Sequence, residues 1–207
     1  SVKVLMKLIL LTNEEFFVEE DQIISLLFEE GLDVLHLRKP GSDPVYSERL
    51  LTLLPDEYHK QIVVHDHFYL KKEFNLMGIH LNSRNPEPPA GYKGHVSKSL
   101  HSLEEVTAEK KKFDYVFLSP IFDSISKSGY PSAFDRTLLE SAHKSGVIDH
   151  RVMALGGVSL QNIPIIKDCG FGGVVIKGDL WNRFDIHSNK DFKSLLDHFK
   201  MLRKAVG

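Results

Sequence analysis

Eight short β-rich apolar runs recur along the chain, with room for a helix between most of them. They are KLILL (7–11), DVLHL (33–37), QIVV (61–64), GIHL (78–81), HVSK (95–98), YVFL (115–118), RVMAL (151–155) and GVVI (173–176). The intervening stretches carry helical spacing, as in DQIISLLFEEG (21–31), SERLLTLLP (47–55), SLEEVTAEKKKF (102–113) and NKDFKSLLDHFKMLRK (189–204). Ser102 followed by Glu105 has the spacing of a capping box, and Gly31, Gly146 and Gly170 stand where helix C-terminal glycines belong. Strand alternating with helix implies parallel strands joined by right-handed crossovers. Eight such units close into a (β/α)8 TIM barrel, with a doubly wound open sheet as the alternative. The barrel is preferred because no G-x-G-x-x-G follows the first run. The segment NSRNPEPPAGYKG (82–94) is too rich in proline and glycine for a helix, so one outer helix is expected to be missing there.

At 207 residues the chain fits one domain, 1–207, with 42% hydrophobic and 26% charged residues. A net charge of −2 with both signs interspersed argues against a nucleic-acid partner. The one cysteine, Cys169, has no partner for an internal disulfide and reads as a small buried residue. No apolar run reaches the length of a membrane span and no secretory signal is visible, so no membrane role and a cytoplasmic location are expected.

In a barrel of this kind the active site forms at the C-terminal ends of the strands. Residues just past the runs there are His36, Arg38 and Lys39, then His65 and Asp66, His80 with Asn82 and Asn85, and Ser99 with His101. They are followed by Ser119 with the loop PIFDSISKSGYP, by Gly156 and Gly157, and by Lys177. Donors and cations dominate, which suits an anionic ligand such as phosphate. Gly156 and Gly157 match a phosphate site made by the last two strand loops, although a pair of glycines also serves a plain tight turn. Ser124, Ser126 and Lys127 offer hydroxyls and an ammonium to the same kind of ligand. Alternation puts His36 and Arg38 on one side of their strand, with Arg38 a forked clamp or an internal ion pair. His101 serves either a ligand or the start of the next helix. In VVHDHF (63–68) alternation separates His65 from Asp66, and His67 is expected to begin a helix, so a local metal triad is not expected.

The segments LHLRKPG, HDHFYLKKEFNLMGIHL, KSLHSLEEV, FDYVFLSPIFDSISKSG and VMALGGVSLQNIPIIKDCGFGGVVI together resemble the thiamin phosphate synthases and their relatives, the thiazole tautomerases. The resemblance implies joining of a pyrimidine pyrophosphate to thiazole phosphate, with ionisation at the pyrimidine methylene, attack by the thiazole nitrogen and release of pyrophosphate. By the same resemblance His36, Arg38 and Pro40 contact the pyrimidine pyrophosphate, His65 and Asp66 fall on an Asn-Asp pair whose Asp binds Mg2+, and Asn85 falls on the second Mg2+ carboxylate. Ser99 matches the serine of an S-x-H segment. Ser124 and Ser126 match paired threonines that contact thiazole phosphate, Lys127 a pyrophosphate lysine, and Gly157 with Ile176 and Lys177 the rest of the thiazole phosphate site. Homo-oligomers are also implied.

Four positions depart from the synthase pattern: a Glu-Lys pair reads Lys39-Pro40, an Asn reads His65 and a metal carboxylate reads Asn85. Pro120 stands where some tautomerases carry a histidine, and there the chain reads as synthases do. Losing one carboxylate weakens a site for a hard cation. Lys39 is expected to supply charge to pyrophosphate. Two other readings follow from the departures. One is a tautomerase that moves a proton through His36, His65 or His101, and the other is a barrel that binds thiazole or thiamin phosphate without turnover.

Overall fold

A computed structural model describes residues 5–122, 134–188 and 191–207. Eight parallel strands form a closed barrel in chain order: β1 (Lys7–Leu11), β2 (Val34–Leu37), β3 (Ile62–His65), β4 (Gly78–Leu81), β5 (His95–Leu100), β6 (Tyr115–Leu118), β7 (Val152–Ala154) and β8 (Gly173–Ile176). Closure runs through β1 and β8, with Lys7 opposite Gly173 and Leu10 opposite Ile176. Each apolar run in the sequence became one strand, because parallel strands covered on the outside by helices must be apolar there.

The outer layer holds α1 (Glu20–Glu29), α2 (Pro44–Leu53), α3 (Asp56–His59), α4 (Leu70–Phe74), α5 (Leu103–Glu109), α6 (Arg136–Lys144), α7 (Ile163–Asp168), α8 (Gly178–Trp181) and α9 (Phe192–Val206). Starts are set by side-chain caps. Asp43 accepts from the amide of Val45 with Pro44 at the first helical position, Ser102 accepts from Glu105, and Asp135 accepts from Leu138. Residues 82–94 contain no helix, as their composition predicts. Gly78 allows the close approach of β4 to β5 there, since a Cβ on it would lie 2.2 Å from the carbonyl oxygen of His95. The expectation that His67 begins a helix is corrected: α4 starts at Leu70. Asp66 and His67 both take positive φ, 56° and 42°, and two left-handed residues in succession turn the chain before it can coil.

Strand alternation divides the core in two. Leu8, Leu10, Leu35, Leu37, Val64, Ile79 and Leu118 face the helices. Ile9, Leu11, Val34, Val63, Tyr115, Phe117, Met153 and Val175 fill the barrel. Cys169 is buried in the outer cluster, where burial pushes its thiol up. No helix among the described residues is long and apolar enough to cross a membrane. From β2 to β5 the inside of the barrel is polar as well, with His36, His65, His80 and Ser97 all buried there.

Candidate active site

These polar side chains share a level of the barrel because of strand register. His65 lies opposite His80, His80 opposite Ser97, and Ser97 opposite Tyr115. His36 Nδ1 is hydrogen-bonded to His65 Nε2 at 2.8 Å, and its Nε2 to the Tyr115 hydroxyl. His80 is held between Ser97 Oγ at 2.7 Å and Ser99 Oγ at 2.8 Å. Burial drives all three imidazoles down: His36 and His80 well below the usual histidine range, and His65 to about 3, with the nearby Arg38 charge adding to the effect. The floor of the site is therefore uncharged.

Ring nitrogens of His36, His65 and His80 all lie within 4.8 Å of one another, a spacing that raises the question of a metal ion. The ring orientations answer it. His65 and His80 are stacked 14° from parallel with centroids 4.4 Å apart, so their in-plane lone pairs run side by side instead of converging. Both nitrogens of His36 and both of His80 are already hydrogen-bonded. This is a hydrogen-bonded network of neutral rings.

Above the floor opens a cavity of about 400 Å³, walled by Arg38, His65, His80, Ser99, His101 and Phe117 together with Asn82, Arg84 and Lys177. Beside it lies a second cavity of about 560 Å³, walled by Gly156, Gly157, Val158, Gly178 and Trp181. Glu14, Leu155 and Lys177 line both. Glu14 sits at this junction with one carboxylate oxygen 2.9 Å from Arg38 and 2.8 Å from Lys177, and the two cations hold its carboxyl below the usual range. The sequence reading missed Glu14, because a lone glutamate past β1 carries no motif.

The glycine wall is built by specific bonds. Asn162 donates to the carbonyl of Gly157 at 2.8 Å and accepts from the amide of Ser159, pinning the turn. Gly156 has φ 101°, and a Cβ there would lie 2.7 Å from the Cα of Pro120, so only glycine lets the loops after β6 and β7 meet. Trp181 donates its indole N–H to the carbonyl of Leu11 at 2.7 Å and so ties α8 to the end of β1.

Several sequence-predicted residues lie elsewhere. Lys39 does not reach either cavity, because its ammonium is buried under α1 at 2.6 Å from Glu20 and 2.8 Å from the carbonyl of Glu15. Pro40 lines neither cavity and belongs to the turn that follows. Ile176 points outward into the helix-facing core, while its neighbours Val175 and Lys177 face in. His101, by contrast, does line the 400 Å³ cavity, at its exposed rim, and is hydrogen-bonded to the carbonyl of Ser119 at 3.2 Å. Ser124, Ser126 and Lys127 lie outside the described residues.

Asp66 and Asn85, the expected metal ligands, do meet. Asn82 accepts from the amides of both Arg84 and Asn85, and this turn directs their side chains at Asp66. Arg84 Nη2 donates to one carboxylate oxygen at 3.1 Å, and Asn85 Nδ2 donates to the other at 2.6 Å. A Mg2+ ion requires several oxygen ligands in octahedral array. Among the described residues the carboxylates here are Asp66 and, in the cavity wall, Glu14; both oxygens of Asp66 accept from Arg84 and Asn85, and Glu14 is paired with Arg38 and Lys177. These residues do not fit Mg2+.

A family model described as thiamine monophosphate synthase matches residues 8–179. The thiamine-phosphate synthase of Halalkalibacterium halodurans is 25% identical over 206 residues, covering 92% of this chain and 95% of that protein. Among solved structures, the thiamine phosphate pyrophosphorylase from Bacteroides thetaiotaomicron is 56% identical, with a TM-score of 0.90 and 97% of each chain covered. A thiamine phosphate pyrophosphorylase from Pyrococcus furiosus, 20% identical with a TM-score of 0.73, shares the fold.

Proposed function

Because this chain belongs to the thiamine monophosphate synthase family, we propose that it is a thiamine-phosphate synthase, joining hydroxymethylpyrimidine pyrophosphate to thiazole phosphate and releasing pyrophosphate. The observation that supports this most is the pair of adjoining cavities that share Glu14, Leu155 and Lys177. Two phosphorylated heterocycles can lie side by side with their reacting atoms at the junction. In this reading the amides of Gly156, Gly157 and Gly178 take the thiazole phosphate, and the family resemblance adds Ser124 and Ser126 as contacts to it. Arg38, Lys177 and Lys127 take the pyrophosphate.

The reaction breaks a C–O bond to pyrophosphate and forms a C–N bond to thiazole. The electron pair leaves on the pyrophosphate oxygen, where Arg38 and Lys177 stabilise the developing charge once Glu14 releases them. Positive charge appears on the pyrimidine methylene. Neutral His65 and His80 and the face of Phe117 meet it without repulsion, as charged imidazoles would not. Ser99 and His101 orient the pyrimidine through hydrogen bonds. The whole chain, 1–207, is read as one such barrel acting in the cytoplasm on small phosphorylated substrates, with homo-oligomers by family analogy.

The test is pyrophosphate release followed with each substrate alone and with both. Release only with both, and Arg38→Ala lowering kcat/KM about 100-fold, is expected. Release from the pyrimidine substrate alone at the same rate would contradict the reading. A second reading, isomerisation of a thiazole phosphate, rests on the imidazole of His65, which lines the cavity. It gains ground if a thiazole isomer is converted without any pyrimidine substrate and His65→Ala stops it.

A further inference from the structure

We propose that the guanidinium of Arg84 takes the place of a divalent cation in this site, so that the chain binds and releases a diphosphate without a metal. The inference rests on the reading of the 400 Å³ cavity as a diphosphate seat.

The turn at Asn82 holds Arg84 in place. The Asn82 side chain accepts the amides of Arg84 and Asn85, and its own amide donates to the carbonyl of Asn85 at 3.1 Å, so residues 82–85 are a built turn. This turn sets Arg84 against Asp66, the carboxylate that would otherwise attract a cation from solution. A divalent ion at Asp66 would have to displace the guanidinium and would then lie beside it, repelled by its charge. It would also face the Asn85 amide nitrogen, which donates to Asp66 and offers no lone pair in that orientation.

What Asp66 orients is a fork. The Arg84 guanidinium donates one N–H of Nη2 to Asp66, and a guanidinium carries five. Arg84 lines the cavity together with Arg38 and Lys177, and its side chain is 55% exposed, so remaining N–H groups are open to a ligand. Bidentate donation from a planar guanidinium matches two phosphate oxygens, and its charge does not depend on pH in the working range. When the C–O bond breaks, the electron pair goes to the departing oxygen. Arg38, Lys177 and Arg84 then face it without an ion to recruit or expel. Arg84 is therefore a catalytic residue that touches the leaving diphosphate, and Asp66 positions it.

The experiment titrates the full chain with inorganic pyrophosphate by calorimetry in EDTA and follows turnover with and without Mg2+. Binding in EDTA that weakens at least 10-fold in Arg84→Ala, with thermal stability retained, is the expected result. So is turnover that EDTA leaves unchanged within twofold. The double variant Arg84→Ala with Asn85→Asp restores a carboxylate pair and should become dependent on Mg2+, a gain that loss of folding cannot produce. Wild-type turnover that requires Mg2+, or Arg84→Ala binding pyrophosphate as the wild type does, would overturn the proposal. Absence of product under every condition, together with Arg84-dependent pyrophosphate binding in EDTA, would remove the synthase reading and leave the cation replacement standing.

Discussion

Acid should unfold this protein through the same histidines that keep the site neutral. His36, His65, His80 and His95 are all driven down by burial, His65 to about 3 and His95 to about 4. In the unfolded chain each returns to about 6.5. The unfolded state therefore binds more protons between those values, and stability rises with pH and is lost as pH falls below about 6.5. From pH 7 to 5.5 an imidazole that stays neutral when folded costs roughly 1 kcal/mol, and four cost roughly 5 kcal/mol. Glu20 works in the opposite sense. Burial pushes its carboxyl up to about 7, so the folded state takes up that proton first and recovers roughly 1–2 kcal/mol over the same interval. The net loss is roughly 3–4 kcal/mol, or roughly 6–16 °C in Tm for a chain of this size. Urea denaturation at the two pH values measures it directly. A loss under about 1 kcal/mol, or His36 and His80 resonances titrating near 6.5 in the folded protein, would refute the reasoning.

Further perturbations separate packing from ligand contact. Lys39→Met leaves Glu20 buried without its cation and should cost about 3–5 kcal/mol, read as a fall in Tm. Adding Glu20→Met should recover most of that loss, and kcat/KM measured well below Tm should change less than threefold. Gly156→Ala forces both an unfavourable φ and a contact with Pro120, and should cost about 1–3 kcal/mol while weakening phosphate binding at the neighbouring loop. Tyr115→Phe removes the hydroxyl beside His36 Nε2 and should cost about 1–3 kcal/mol. It should also shift the ¹⁵N resonances of His36 and of His65 beyond it, which a purely local cavity would not do.

The architecture was readable because one physical rule governs it throughout: strands covered by helices must be apolar, and their runs recur eight times. The helix gap at 82–94 was readable from proline and glycine. Alternation placed His36 with Arg38 and separated His65 from Asp66, but it ended where the strand ended. Lys39 lies past β2, where the chain leaves the barrel and its side chain turns under α1 to Glu20. Asp66 escaped the same rule through its positive φ, which swings it onto the turn at Asn82. Glu14 and Arg84 act through partners distant in sequence, Lys177 and Asp66, and no local spacing announces such pairs. The Tyr115–His36 link spans 79 residues and depends on barrel closure to exist.

The central claim is that the two cavities hold two substrates that become one product. Mass analysis of the reaction with isotope-labelled thiazole phosphate and unlabelled pyrimidine pyrophosphate tests it most directly. The account predicts one labelled thiamin phosphate for each pyrophosphate released, with product formation slowed about 100-fold in Arg38→Ala and retained in Lys39→Met. Unchanged labelled thiazole phosphate after prolonged incubation with folded protein and both substrates would contradict it.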